Sequence, residues 1–310
     1  MRQFFKNDME NLEETSATII GFLKGLPFPP RVNEIIFDEK NLNNHKELFL
    51  PFFHAVSEPF PSIELETKKI AGAAVYLGAL GVYGLDPVLD LQISGEKIRP
   101  SISSSFCLLQ HAQFLLSKIF PPSSKFWKSY FYRWELHFKE LELSKVDEET
   151  LIQWNKEDYY SLLSHKYALL FTPLDICYHL SHSDHKTYSL LENALKDFII
   201  GYNIPNEIVG FQQDTELNIA NYSWCKMVPK LKEIGLQVED YSLSDLHKLL
   251  YLTGTAENMY QESLQAYDRC LITLKELNLG LLEKIVSASK KKIKQESEMS
   301  NEYIKSLRSS

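Results

Sequence analysis

Two aspartates, Asp86 and Asp90, stand four residues apart in the stretch "YGLDPVLDLQ". On an α-helix that spacing puts both carboxylates on one face, with Cβ atoms about 6 Å apart. Like charges so placed repel one another and weaken the helix unless a cation is bound. Mg²⁺ suits the pair because it takes carboxylate oxygens together with waters and substrate phosphates. Solvated charges at a helix end are the competing reading. Pro87, which has no amide donor, is expected to kink the helix just inside the pair. A second stretch, "GFQQDTELNIANYSW", repeats the spacing with Asp214 and Asn218, preceded by Gln212 and Gln213 and followed by Asn221. Polar groups at depth need partners, and a metal with its waters would supply them; a helix turning toward solvent near its end is the alternative. Between the two, "DYYSLLSHKYALL" holds Lys166 as its one cation on an otherwise apolar stretch. A buried lysine needs an anion, and a diphosphate is an attractive one. Snorkelling to the surface is the reading that this stretch favours by itself.

The elements that must position these groups read with helical period. "NHKELFLPFFHAVSE", "FCLLQHAQFLLSKIF", "FWKSYFYRWELHFKELEL" and "TYSLLENALKDFIIGYNIPNEIVGFQQD" each repeat apolar residues at three and four, while β-like alternation is scarce. Breaks fall at "GLPFPPRVN", "FPPSSKF", "LSHSDHKT", "EIGLQVEDYS" and "LTGTAENM", as helix–helix turns require. With no internal repeat and no long linker, the expectation is all-α, a single-domain helical bundle over residues 1–310, with 288–310 a polar C-terminal helix or tail. A 44% hydrophobic content over 310 residues is enough for a sizeable core. A net charge of −8 argues against a nucleic-acid partner, which a basic face would signal. Cys107, Cys177, Cys225 and Cys270 are far apart and form no CxxC pair, which fits reduced thiols and a cytoplasmic location. Acids at the N-terminus lead to the expectation of no export signal, and the apolar run at 70–92 reads as a buried core helix without stable membrane insertion. His179, His182 and His185 in "YHLSHSDHK" have a spacing that zinc could use, but the Ser/Asp composition says loop and no acid–histidine helix motif accompanies them. Arg133 and Lys139 in "RWELHFKELE" read as salt-bridge decoration of a helix face.

The order and spacing of the three segments resemble the class I isoprenoid synthase superfamily, the all-α fold of trans-prenyltransferases, squalene/phytoene synthases and terpene cyclases. "DPVLD" is similar to the first aspartate-rich motif of that family, "FQQDTELN" to the second, and "YYSLLSHKYALL" to the helix whose lysine touches the substrate diphosphate. The likeness covers roughly residues 65–225. It implies Mg²⁺ held by Asp86, Asp90, Asp214 and Asn218 on an isoprenyl diphosphate, with Lys166 supplying a charge-assisted hydrogen bond. It also implies π faces for an allylic cation, with Tyr83, Tyr159, Tyr160 and Phe211 as candidates, each contributing about 0.5–2 kcal/mol, and Gln212 and Gln213 beside the substrate; core packing is the reading that each ring favours by itself. A homodimer is common to that fold. Departures from the elongating enzymes are specific: Pro87 and Thr215 stand where those carry the second Asp of DDxxD, Asn218 replaces a final acid, and no two arginines are adjacent. These favour a Mg²⁺-dependent terpene synthase, a lyase that ionises the diphosphate and cyclises or rearranges the cation. A prenyltransferase or squalene/phytoene-synthase-like condensing enzyme of the same fold is the alternative, and a helical scaffold that lost its metal grip is the third reading.

Overall fold

The computed structural model describes residues 14, 16–39, 42, 49–90, 92–146, 153–181 and 185–309. The helices are α1 (Pro30–Phe37), α2 (Phe52–Ser57), α3 (Leu65–Leu89), α4 (Ile98–Ile119), α5 (Phe126–Leu143), α6 (Lys156–Lys166), α7 (Thr172–Ser181), α8 (His185–Glu216), α9 (Tyr222–Glu233), α10 (Leu243–Leu252), α11 (Thr255–Glu276) and α12 (Gly280–Ser309). Among the described residues the only β pairing is one antiparallel bridge between Lys145 and Ile219. The fold is all-α. The chain forms two compact units: residues 1–132, 170–189 and 277–285 make the first, and 133–169, 190–276 and 286–310 the second.

In the first unit, α3 and α4 are the main packed pair. A Cβ added at Gly81 would come 2.7 Å from Leu109 Cγ, one at Gly78 would meet Ala112, and one at Gly84 would meet the Ser105 hydroxyl. As one residue number rises its partner falls, so the two helices run antiparallel, and small residues on α3 let the backbones approach. Ala71, Ala74, Tyr76, Leu77 and Leu80 bury the inward face of α3. By length and composition α3 would also pass for a membrane span, and 39% of its most apolar window is buried within the fold. Pro87 does not end it: α3 runs through Pro87 to Leu89, and the Pro87 carbonyl then accepts from the Gln92 and Ile93 amides at 2.9 and 3.1 Å.

The second unit is built on α8, α9 and α11. Asparagine caps start two of its helices: Asn155 Oδ1 accepts from the Asp158 amide at 3.0 Å, and Asn221 Oδ1 from the Ser223 amide at 2.8 Å. Trp224, Tyr222, Tyr267 and Phe211 are its largest fully buried side chains. Helix α8 ends at Glu216, and the turn that follows is held by Val146 N–H to the Asn218 carbonyl (3.0 Å) and Ala220 N–H to the Ser144 carbonyl (2.8 Å). The polar segment at 288–310 forms the later turns of α12, with Ile293, Ser297, Ser300 and Ile304 buried along one stripe and the "KKKIK" charges largely outside it.

Candidate functional site

In the first unit the α3 C-terminus presents the first acid pair. Asp86 lies in the last turn and Asp90 is the C-cap, its amide donating to the Asp86 carbonyl at 2.8 Å, so the helical i,i+4 relation holds at the backbone. Both residues are half-buried. The ring of Tyr83, one turn earlier, is 47% exposed and meets Phe49 edge-on at 5.2 Å. The helix end is fixed against α4 by Ser101 Oγ, which donates to the Gly84 carbonyl at 2.5 Å.

In the second unit Asp214 lies in the last turn of α8, and its carboxylate folds back along the helix. A Cβ on Gly210 would sit 2.9 Å from Asp214 Oδ2, so glycine is what makes room for that conformation. Asn221 Nδ2 donates to the same Oδ2 at 2.7 Å. Asn218 departs from the expectation of a second ligand four residues along a helix. The helix has ended at Glu216, Asn218 is exposed, and its φ of 54° places it in the left-handed region that asparagine tolerates. Its backbone serves the turn, with its amide on the Thr215 carbonyl (3.1 Å) and its carbonyl on the Val146 amide. Gln212 is half-buried and Gln213 exposed, while Thr215 Oγ1 accepts from Trp224 Nε1 at 2.9 Å.

Beneath Asp214 lies a buried polar network that sequence reasoning missed. Glu207 Oε1 accepts from Asn203 Nδ2 at 2.7 Å and Oε2 from the Tyr222 amide at 2.8 Å. Asn203 also bonds the Tyr159 hydroxyl and accepts from the Tyr167 hydroxyl at 2.6 Å. Burial pushes the Glu207 carboxyl above its ordinary range; the Lys166 charge and the Tyr222 amide oppose that shift, and the Asp214 charge adds to it. Burial likewise raises the Tyr159 hydroxyl far above its usual value, with the Glu207 charge adding to the effect. The signal for this network was Asn203 and Glu207, two polar residues at i,i+4 inside the apolar run "YNIPNEIVG".

Lys166 is the last residue of α6 and is exposed. Tyr159 and Phe211, read from the sequence as π faces for a cation, are core residues. Tyr159 is 2% exposed and stacks on Tyr222 at 4.5 Å, and Phe211 is fully buried against Trp224 and His247. A hydroxyl or ring so enclosed is committed to packing. Tyr160 is drawn into a second cluster. Its hydroxyl donates to Glu262 Oε1 at 2.6 Å, Lys156 Nζ reaches the same oxygen at 2.6 Å, Lys226 Nζ reaches Oε2 at 2.7 Å, and the Tyr222 hydroxyl bonds both oxygens. Burial alone would raise the Glu262 carboxyl, but the hydrogen bonds from Lys156, Lys226 and Tyr160 outweigh it and hold it down to about 2.

Of the three histidines, His182 lies outside the described residues; His179 Nε2 pairs with Ser129 Oγ at 3.0 Å and His185 Nδ1 with Ser189 Oγ at 2.9 Å. Arg133 pairs with Glu192 and Lys139 with Glu135.

The donor chemistry fits a hard divalent cation at the two acid sets. Asp86 and Asp90 close one helix and Asp214 closes another, where the carbonyl ends of the backbone dipoles already carry about −0.5 elementary charge. Carboxylates added to that end raise a negative potential that a bound cation would relieve. Among the described residues no three His, Cys, Asp or Glu side chains group together, so neither set is an all-protein cage. One or two carboxylates completed by waters and phosphate oxygens is the arrangement Mg²⁺ prefers.

No protein-family model matches the chain, and no curated protein matches it. Solved structures do. A decaprenyl diphosphate synthase from Rhodobacter capsulatus superposes with a TM-score of 0.69 at 13% identity, over 93% of this chain and 98% of that one. A geranylgeranyl pyrophosphate synthase from Lactobacillus brevis gives 0.68 at 13% identity over 94% and 98%. One from Corynebacterium glutamicum, solved with isoprenyl diphosphate and magnesium, gives 0.62 at 14% identity over 91% and 98%. Matches of that extent at so low an identity carry the architecture across almost the whole length: the chain has the all-α fold of the class I isoprenoid synthases.

Proposed function

We propose that this chain is a Mg²⁺-dependent enzyme acting on isoprenyl diphosphates, and that it is a prenyltransferase rather than the terpene synthase favoured by its divergent motifs. The observation that carries the reading is the likeness to prenyl diphosphate synthases over more than nine-tenths of the chain, with carboxylates at the ends of two helices. When bound, Mg²⁺ would neutralise the diphosphate and make it a better leaving group. Asp86 and Asp90 would hold it at the end of α3, and Asp214 would hold it at the end of α8. Lys166, exposed at the end of α6, would donate a charge-assisted hydrogen bond to a diphosphate oxygen. Tyr83, the most exposed of the candidate rings, is the one left to face an allylic cation.

A terpene synthase is the second reading, favoured by the lack of two adjacent arginines to grip a second diphosphate. The two readings separate in one assay. Geranyl, farnesyl and geranylgeranyl diphosphates are supplied singly or with isopentenyl diphosphate, with Mg²⁺ or EDTA, while diphosphate release and extractable products are followed. Release with a longer prenyl product only when isopentenyl diphosphate is present is the expected result. A hydrocarbon or alcohol from a single substrate would establish the terpene synthase instead, and silence in every combination would leave the non-catalytic scaffold.

A further inference from the structure

Asn221 is fully buried, and three different anchors fix its side chain. Its Oδ1 accepts from the Ser223 amide at 2.8 Å, capping α9. Its Nδ2 donates to the Glu207 backbone carbonyl at 2.9 Å and to Asp214 Oδ2 at 2.7 Å. The first two anchors are backbone atoms of regular helices, so the amide plane cannot turn without breaking the α9 cap and the hydrogen bond to the Glu207 carbonyl. The third is the Asp214 carboxylate, and Gly210 supplies the space that lets its Oδ2 sit there. We infer that Asn221 is a positioning residue for Asp214: its clamped amide holds that carboxylate in one rotamer, back along α8, before any cation arrives. An aspartate left to itself samples several rotamers, and ordering it at the moment of binding costs affinity. Outer partners of ligating groups contribute to metal affinity in this way, by orientation rather than contact. The inference rests on the reading of Asp214 as a metal-holding residue.

The test uses the whole chain, with Mn²⁺ as the paramagnetic probe in the presence of inorganic diphosphate. Electron paramagnetic resonance counts the tightly held ions and their affinity in the wild type, Asn221→Ser, Asn221→Thr, Asp214→Ala and the two double variants. Serine and threonine keep an N-cap acceptor for α9 but cannot donate to Asp214 as the amide does, and the thermal midpoints report that folding is retained. Two replacements of different volume guard against one failing to fold. The expected result is about tenfold weaker Mn²⁺ binding in both Asn221 variants, and no further loss when either is added to Asp214→Ala. Unchanged affinity in the Asn221 variants, or an equal loss in the Asp214→Ala background, would overturn the positioning role while leaving Asp214 as a ligand. Unchanged binding in Asp214→Ala itself would remove the ligand reading, and the positioning role with it.

Discussion

Asn218 separates two roles that one side chain type can play. As a metal ligand its amide oxygen would matter; as a turn residue only its backbone would. Its φ of 54° is tolerated by asparagine and glycine and avoided by β-branched residues. Asn218→Gly is expected to leave Mg²⁺-dependent turnover intact, whereas Asn218→Val should lower stability by about 1–2 kcal/mol in urea unfolding. Turnover lost in the glycine variant would restore the ligand role. Asp86→Ala, by contrast, should cost at least about 100-fold in Mg²⁺-dependent diphosphate release with little change in melting, because the carboxylate stands at a helix end and is only half-buried. The acids themselves were legible in the sequence from type and spacing. Asn221 was visible only as one more amide, because which of Asn218 and Asn221 meets Asp214 depends on where α8 stops.

The helices set these side chains through two kinds of contact. Between α3 and α4 the contact is backbone proximity at small residues, which fixes the helix end that presents Asp86 and Asp90. Gly81→Val would force a branched side chain toward Leu109 Cγ, 2.7 Å from the Cβ position, and should cost about 1–3 kcal/mol, read as a lower midpoint in thermal unfolding. Among α6, α9 and α11 the contact is ionic, with Glu262 gathering Lys156, Lys226, Tyr160 and Tyr222. Because its folded carboxyl is held down to about 2, below the ordinary value of 4.5, its stabilisation is fully present above that ordinary value and is lost as pH falls through about 2. Glu262→Gln should therefore cost about 1.5–3 kcal/mol at neutral pH, and its stability curve should converge on that of the wild type near the acid end. A gap that persists unchanged to the lowest pH would mean that packing, not charge, holds the cluster. Helical periodicity made the elements legible. This hub was not, since Lys156, Lys226 and Glu262 each look like solvated surface charges in their own segments.

Taken whole, the chain carries a net charge of −8, so two copies repel except where charge is absent. Such a place exists on the first unit, where an open groove between α4 and the start of α5 is lined by Gln110, Gln113, Phe114, Phe120, Trp127 and Phe131. Phe114 and Phe131 are each more than half exposed, and exposed aromatics grouped in this way mark contact surfaces for a protein, a membrane or a ligand. A homodimer formed through this face is expected in light scattering, and Phe114→Asp with Phe131→Asp should shift it to monomer without unfolding it. A wild-type monomer at micromolar concentration would discard the homodimer.

The sequence by itself determined the helical class and singled out the two acid sets and Lys166 as candidates, because periodicity and residue type are local properties. It also carried the order of segments, and with it the likeness to isoprenoid synthases. Only the tertiary structure decided which polar side chains those acids meet and which rings remain available. Tyr159 and Phe211 differ from Tyr83 in nothing that spacing can express; burial alone commits the first two to the core and leaves the third exposed. Likewise Asp214 takes Asn221 for its partner because α8 terminates at Glu216 and the chain turns back through a left-handed residue, a decision made by long-range hydrogen bonds to residues 144 and 146 that no local pattern encodes.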